Sequence, residues 1–115
     1  MITTLNLALE LNTEMMNVYP CQALPGSSLY TKALAQGIDL PKQYEEFAFL
    51  SYASTPLATK YLSSRQVIEF RDYFWRTYFA NPAFLELVRS KFGQAQYENV
   101  QAMSCIKLNR KLLGD

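Results

Sequence analysis

Histidine is absent from all 115 residues, so the chain lacks the most common general base and the most common zinc ligand of proteins. Glycine-rich phosphate loops, nucleophile elbows and zinc-binding spacings are missing as well. The only two cysteines, Cys21 and Cys105, lie too far apart in sequence to form a metal-ligand motif. We therefore expect no catalytic residue and no metal site in this chain alone.

A charge excess of one sign and long hydrophobic runs are also lacking. The 11 lysines and arginines balance 10 acidic residues, whereas nucleic-acid binding usually goes with a strong basic excess. No apolar run approaches the roughly 20 residues that span a bilayer. No basic stretch followed by an apolar one begins the chain, so secretion is not expected. We expect neither nucleic acid nor membrane as a partner, and a cytoplasmic location.

What is present is a hydrophobic sequence with strong helix signals. Half of the residues are hydrophobic, which suffices for one core in a chain of this length. Ser63 and Gln66 form a capping-box pattern, Asn81 precedes a proline as a helix cap does, and Gly93 is a typical helix stop. The pattern predicts three helices within residues 63–115. We expect the last helix to run from about Gln94 to Leu112.

The first forty residues predict a different order of elements. An apolar stripe predicts a short helix that ends near Asn12. Residues 15–24 predict an extended, largely buried strand, and Pro25-Gly26 predicts a turn. A helix capped by Ser27 or Ser28 follows and stops at Gly37. This strand would have no ladder partner within the chain, so its backbone groups would need partners elsewhere.

Several motifs resemble the C-terminal region of cobalamin-binding radical S-adenosylmethionine (radical SAM) enzymes. The run Asn17–Tyr30 looks like the late barrel strand and following helix of radical SAM enzymes. The motifs that follow it in order are Ser51–Tyr52, Pro56–Leu57, Thr59–Ser63, Phe70–Asp72, Tyr78–Pro82, Lys91–Gly93 and Lys107–Asp115. The resemblance covers nearly the whole chain, and the ordered set from Ser51 onward is its more specific part.

The resemblance implies a fold class that is mainly α. It consists of one βα element from an incomplete barrel, followed by a three-helix C-terminal cap. Residues 1–40 would be the helix-strand-helix remnant of the barrel, 41–62 an irregular connection and 63–115 the helical cap. In the parent enzyme this cap would pack on the barrel and help enclose the substrate.

The resemblance also implies S-adenosylmethionine, a four-iron four-sulfur cluster and cobalamin as cofactors of the parent enzyme, and none in this chain. The family holds its cluster through three closely spaced cysteines, and neither Cys21 nor Cys105 belongs to such a motif. The family's barrel strand approaches the adenosyl group or the substrate. Strand alternation would put Asn17, Tyr19 and Cys21 on one face, which makes them the candidate cofactor-binding residues once the barrel is complete.

The chain is therefore expected to be a structural fragment without its own catalytic centre. Its partners would be the rest of the barrel or a second copy of itself, joined through the orphan strand. One alternative is a stand-alone helical module that binds another protein. A second alternative is a cofactorless enzyme that uses Glu45 or Glu46 together with Tyr52. Only the aromatic surroundings favour it, and a buried carboxylate with a raised pKa in a pocket would be its support.

Overall fold

The computed structural model describes residues 1–115 and shows a mainly helical chain without β-strands. The helices are α1 Ile2–Leu11, α2 Ser28–Ala35, α3 Tyr44–Phe47, α4 Ser64–Phe79, α5 Pro82–Phe92 and α6 Gln94–Ser104, followed by a 3₁₀-helix Lys111–Leu113. The predicted helical character is confirmed. None of these helices has the length and apolar character needed to cross a membrane.

The helix boundaries follow local capping chemistry. The Ser63 hydroxyl accepts a hydrogen bond from Gln66 N at 3.3 Å, and the Gln66 side chain accepts one from Ser63 N at 2.9 Å, as a capping box requires. The Asn81 side chain accepts a 3.0 Å bond from Ala83 N at the start of α5. Gly93 ends α5 with a φ of 87°, a conformation that favours glycine. These three predictions are confirmed.

The predicted βα element is wrong in its strand. Residues 12–24 contain no regular secondary structure apart from a bend at residue 14, and a turn at residues 25 and 26 then leads into α2 as expected. The chain offers no second strand as a ladder partner, and Pro20 has no backbone N–H to donate. The backbone oxygen of Cys21 accepts one hydrogen bond, from Leu57 N at 2.9 Å. One such bond does not make a ladder, so the segment remains irregular.

The predicted final helix is also too long. Helix α6 ends at Ser104, where Cys105 N and Ile106 N donate to the carbonyls of Ala102 and Met103. Such bonds to the third preceding residue tighten and close a last helical turn. Contacts distant in sequence then hold residues 108–115, which no local pattern could predict.

The chain divides into two compact units, each built from separate stretches of sequence. The first unit comprises Met1–Val18 and Asp72–Lys107, and the second comprises Tyr19–Arg71 and Leu108–Asp115. The boundary crosses α4 between residues 71 and 72. The predicted division into a barrel remnant at 1–40, a connection at 41–62 and a helical cap at 63–115 refers to a parent enzyme. It stays a prediction.

Aromatic side chains dominate the core of the first unit. Its buried residues are Tyr78, Phe79, Phe84, Val88 and Val100, with Ala8, Leu9, Met16, Trp75 and Leu85 packed against them. The rings of Phe79 and Phe84 meet edge to face at 5.2 Å between centroids, a favourable geometry for aromatic pairs. Helix α1 therefore packs on helices that follow it by some seventy residues in sequence.

The second unit has a smaller apolar cluster under α2. Ala23, Ala33 and Leu40 are buried there, and Tyr30, Ile38 and Leu57 pack against them. Helix α2 begins at Ser27, whose hydroxyl accepts a 3.1 Å hydrogen bond from Tyr30 N. This cluster anchors the segment that carries the candidate residues Tyr19 and Cys21.

Candidate functional site

The candidate segment alternates between exposed and less exposed side chains. Asn17, Tyr19 and Cys21 are exposed, whereas their neighbours are buried or half-buried. This alternation is the one expected of an extended chain with one face on a core. Asn17 belongs to the first unit, and Tyr19 and Cys21 belong to the second. The expectation that residues 15–24 are largely buried is wrong, because Met15, Tyr19 and Leu24 are 80%, 63% and 51% exposed, and no strand forms there.

Tyr19 lies on an aromatic side chain from a distant loop. Its ring meets Phe49 edge to face, with 4.8 Å between the ring centroids. The guanidinium carbon of buried Arg71 lies 5.3 Å from the centroid of the same Phe49 ring, within cation–π range. Phe49 is therefore held between Tyr19 and Arg71. The Tyr19 side chain is still 63% exposed, so one side of its ring is open to another molecule.

Two side chains of the second unit carry buried polar atoms that have no hydrogen-bond partner. Both amide atoms of the Gln22 side chain and the hydroxyl oxygen of Ser54 are buried and unpaired. Most buried polar atoms in proteins are paired, because leaving one unpaired costs about 1–3 kcal/mol. The side-chain amide of Gln22 therefore has no hydrogen-bond partner among the residues of this chain.

The loop beside Tyr19 is fastened by the end of the chain. Arg110 is fully buried, and its Nη1 donates hydrogen bonds to the backbone oxygens of Phe49 and Ser51 at 2.8 and 2.9 Å. Lys111 N donates to the backbone oxygen of Tyr52 at 2.9 Å. Arg110 falls within the predicted last helix to Leu112, but α6 stops at Ser104 and Arg110 lies beyond it.

A pocket of about 490 Å³ lies elsewhere in the second unit, between α2 and α3. Its lining consists of Pro25, Tyr30, Leu34, Ile38, Asp39, Leu40, Pro41, Lys42, Tyr44 and Phe47. The walls are mostly apolar, with one acidic and one basic side chain. Tyr19 and Cys21 do not line this pocket, so it is not part of the predicted cofactor face.

The alternative of a carboxylate enzyme finds no support in the geometry. Glu46 accepts hydrogen bonds from the backbone N–H groups of Lys42 and Gln43 at 2.7 and 2.9 Å. These bonds, with that from Gln43 the larger influence, lower the pKa of Glu46. The Tyr52 hydroxyl donates to the main-chain oxygen of Asp115 at 3.1 Å and forms no hydrogen bond with Glu45 or Glu46. A general base would need a raised pKa, which is the opposite of what is found.

The residues of this chain do not fit an iron–sulfur cluster. Cys21 and Cys105 are both exposed and lie in different units, and a cluster needs three or four thiolates around it. No group of three or more metal-ligating side chains occurs in residues 1–115.

Sequence reasoning missed the residues that support Tyr19. Phe49 and Arg110 are separated from it by 30 and 91 positions, and no local pattern links them. The terminal motif Lys107–Asp115 gave no signal of this support, because the sequence pattern placed most of it in the last helix. Comparison of the chain with protein-family models, with curated proteins and with solved structures finds no match.

Proposed function

We propose that this chain is the C-terminal, non-catalytic part of a radical SAM enzyme of the cobalamin-binding type, located in the cytoplasm. It packs on the barrel formed by the cysteine-bearing part and helps enclose the substrate. The cluster, S-adenosylmethionine and cobalamin belong to the complete enzyme. The proposal rests on the ordered motifs from Asn17 to Asp115 and on the alternating exposure of the side chains around Tyr19.

The observation that carries the proposal is the alternating exposure of side chains along residues 17–22. Asn17, Tyr19 and Cys21 face outward, and the segment then leads through a turn into α2. A parallel barrel strand also turns alternate side chains toward the lumen and is followed by a helix. In this chain the segment is irregular, and in the complete enzyme the neighbouring barrel strands would supply its ladder partners.

The unpaired Gln22 amide supports the same proposal. Its donors and acceptor are buried without a partner in this chain. A neighbouring polypeptide or a ligand would satisfy them and recover the cost of burial.

Helix α1 adds a second surface for the barrel. Leu5 packs inward and is 3% exposed, whereas Leu7 and Leu11 are 53% and 63% exposed. On a helix, positions 7 and 11 share a face that points away from position 5. Apolar residues on both faces are typical of a helix that is covered on both sides.

The first test is the DNA immediately upstream of this reading frame. The proposal expects a frame that encodes a barrel with the three-cysteine motif and lacks the residues found here. Co-expression of the two polypeptides should give a complex that survives size-exclusion chromatography. An upstream frame of another kind, or two polypeptides that elute separately, would contradict the proposal and favour the stand-alone interaction module.

A titration then separates the roles of the two parts. The chain alone should give no saturable heat with S-adenosylmethionine or hydroxocobalamin, whereas the complex should bind S-adenosylmethionine. In the complex, Tyr19→Ala and Cys21→Ala should weaken that binding. Lys60→Ala, an exposed change in the same unit, serves as the matched control and should leave it unchanged.

A further inference from the structure

Residues 108–115 form hydrogen bonds with the loop at residues 49–52 of the second unit. Arg110 is 0% exposed and binds the backbone oxygens of Phe49 and Ser51 through one nitrogen. Its backbone N–H donates to the Asp115 carboxylate at 3.0 Å. Burying an arginine is unfavourable unless its donors form hydrogen bonds. The positions of residues 108–115 and of the loop that carries Phe49 and Ser51 therefore depend on each other.

Tyr52 adds two further bonds to the same arrangement. Its backbone oxygen accepts from Lys111 N at 2.9 Å, and its hydroxyl donates to the backbone oxygen of Asp115 at 3.1 Å. Residues 49–52 are therefore joined to the chain end at Phe49, Ser51 and Tyr52. Such bonds between loops distant in sequence restrict both partners at once.

The loop in turn supports the candidate ligand face. Phe49, whose carbonyl Arg110 holds, carries the ring on which Tyr19 rests at 4.8 Å. We infer that residues 108–115 act as a latch on loop 49–52, and that Arg110 is a positioning residue for Tyr19. Whether Tyr19 then contacts a cofactor rests on the proposed function. The positioning itself is a property of this chain.

The test compares Arg110→Met with Arg110→Lys and with Arg76→Met. Methionine has similar length and no donors, lysine keeps the charge and can reach one carbonyl, and Arg76 is an exposed arginine of the first unit. The measurement is the nuclear Overhauser contact between the Tyr19 and Phe49 rings in isotope-labelled chain. Arg110→Met should abolish this contact, Arg110→Lys should retain part of it and Arg76→Met should retain all of it.

The signals of the first unit provide the internal reference. The contact between Tyr78 and Phe84, whose ring centroids lie 5.0 Å apart, should persist in all three variants. Loss of the Tyr19 contact with retention of the Tyr78 contact supports the latch. Full retention of the Tyr19 contact in Arg110→Met would overturn it, and so would equal loss of both contacts in a chain that stays folded.

A milder variant keeps the inference testable if Arg110→Met fails to fold. Tyr52→Phe removes only the exposed hydroxyl that binds Asp115. Loss of one such bond should speed amide hydrogen exchange at Lys111 by about fivefold. Unchanged exchange at Lys111 would show that the chain end is not held as a latch. Neither measurement involves S-adenosylmethionine, so failure of the latch and failure of the proposed function give different results.

Discussion

The hydroxyl of Tyr78 donates a 2.7 Å hydrogen bond to the backbone oxygen of Thr13, which lies 65 positions earlier in the chain. Tyr78 is fully buried, and its ring lies 5.0 Å from that of Phe84. The bond forms just after Asn12, whose left-handed φ of 44° ends α1. It therefore ties the chain that leaves α1 to the aromatic core of the first unit.

Replacing Tyr78 with phenylalanine should keep the packing and remove this bond. The Thr13 carbonyl would lose its donor in a part-buried place, so the free energy of unfolding should fall by about 1–2 kcal/mol. Chemical denaturation followed by circular dichroism measures the change. Tyr97→Phe is the control, because its hydroxyl meets only Gln101, at 3.4 Å and in solvent, and should cost less than about 0.5 kcal/mol. Equal effects of the two changes would contradict the assigned role of the Thr13 bond.

The two faces of α1 should differ sharply in their sensitivity to truncation. Leu5 is 3% exposed, and Leu5→Ala should lower the free energy of unfolding by about 2–4 kcal/mol through lost burial and a cavity. Leu11→Ala, at 63% exposure, should change it by less than about 0.5 kcal/mol. A large cost at Leu11 in the isolated chain would mean that this face is already covered, for example by a second copy.

Self-association is a separate consequence of the same exposed face. If Leu7 and Leu11 pair with a second copy when the barrel is absent, the apparent mass by light scattering should rise with concentration. Leu7→Glu with Leu11→Glu should then return it to that of a monomer, because charge on an apolar contact opposes its burial. A mass that stays monomeric in the unaltered chain would leave the barrel as the proposed partner of this face.

Local signals predicted the helix ends well. The Ser63–Gln66 capping box and the Gly93 stop depend on neighbours within three or four residues, and both occur as expected. The same rules failed at Ile106, which was expected inside the last helix and is 59% exposed beyond its end. A helical spacing of apolar residues does not show where a helix ends because of contacts with distant residues.

Of the candidate site, only the alternation of side chains could be predicted, because the segment was expected to be largely buried and Tyr19 is 63% exposed. The alternation at residues 17–21 depends on side-chain direction along an extended chain, which sequence conveys. The strand itself failed because pairing needs a second strand, and no local pattern reveals its absence. The support of Tyr19 by Phe49 and Arg110 could not be predicted either, because the contacts that provide it join residues 30 and 61 positions apart and leave no periodic pattern in the sequence.

The Asn81 cap should contribute to stability in a way that depends on its oxygen. Asn81→Ala removes the acceptor for Ala83 N and should lower the free energy of unfolding by about 1 kcal/mol. Asn81→Asp keeps an acceptor and adds a negative charge at a helix N-terminus, so it should be neutral or slightly stabilising. Denaturation at neutral pH distinguishes the two. A similar loss in both variants would show that the amide donor, and not the oxygen, matters.

The carboxylate of Glu46 should make part of the stability depend on pH. Backbone bonds from Gln43 and Lys42 lower its pKa in the folded chain, so folding favours the ionised form. This contribution is fully present above the pKa of the carboxyl group in the unfolded chain. It is lost as the pH falls through the lower folded pKa. Glu46→Gln should therefore be less stable than the unaltered chain at neutral pH, and the difference should shrink in acid.

Thermal unfolding of both proteins from neutral pH down through the carboxyl range measures this difference directly. Glu45→Gln is the matched control, since the neighbouring Glu45 side chain is exposed and its carboxylate forms no hydrogen bond or ion pair. Its melting temperature should follow that of the unaltered chain throughout. A difference for Glu46→Gln that stays constant with pH would show that Gln43 and Lys42 do not favour the ionised carboxylate, and a difference that grows in acid would reverse the sign of the shift.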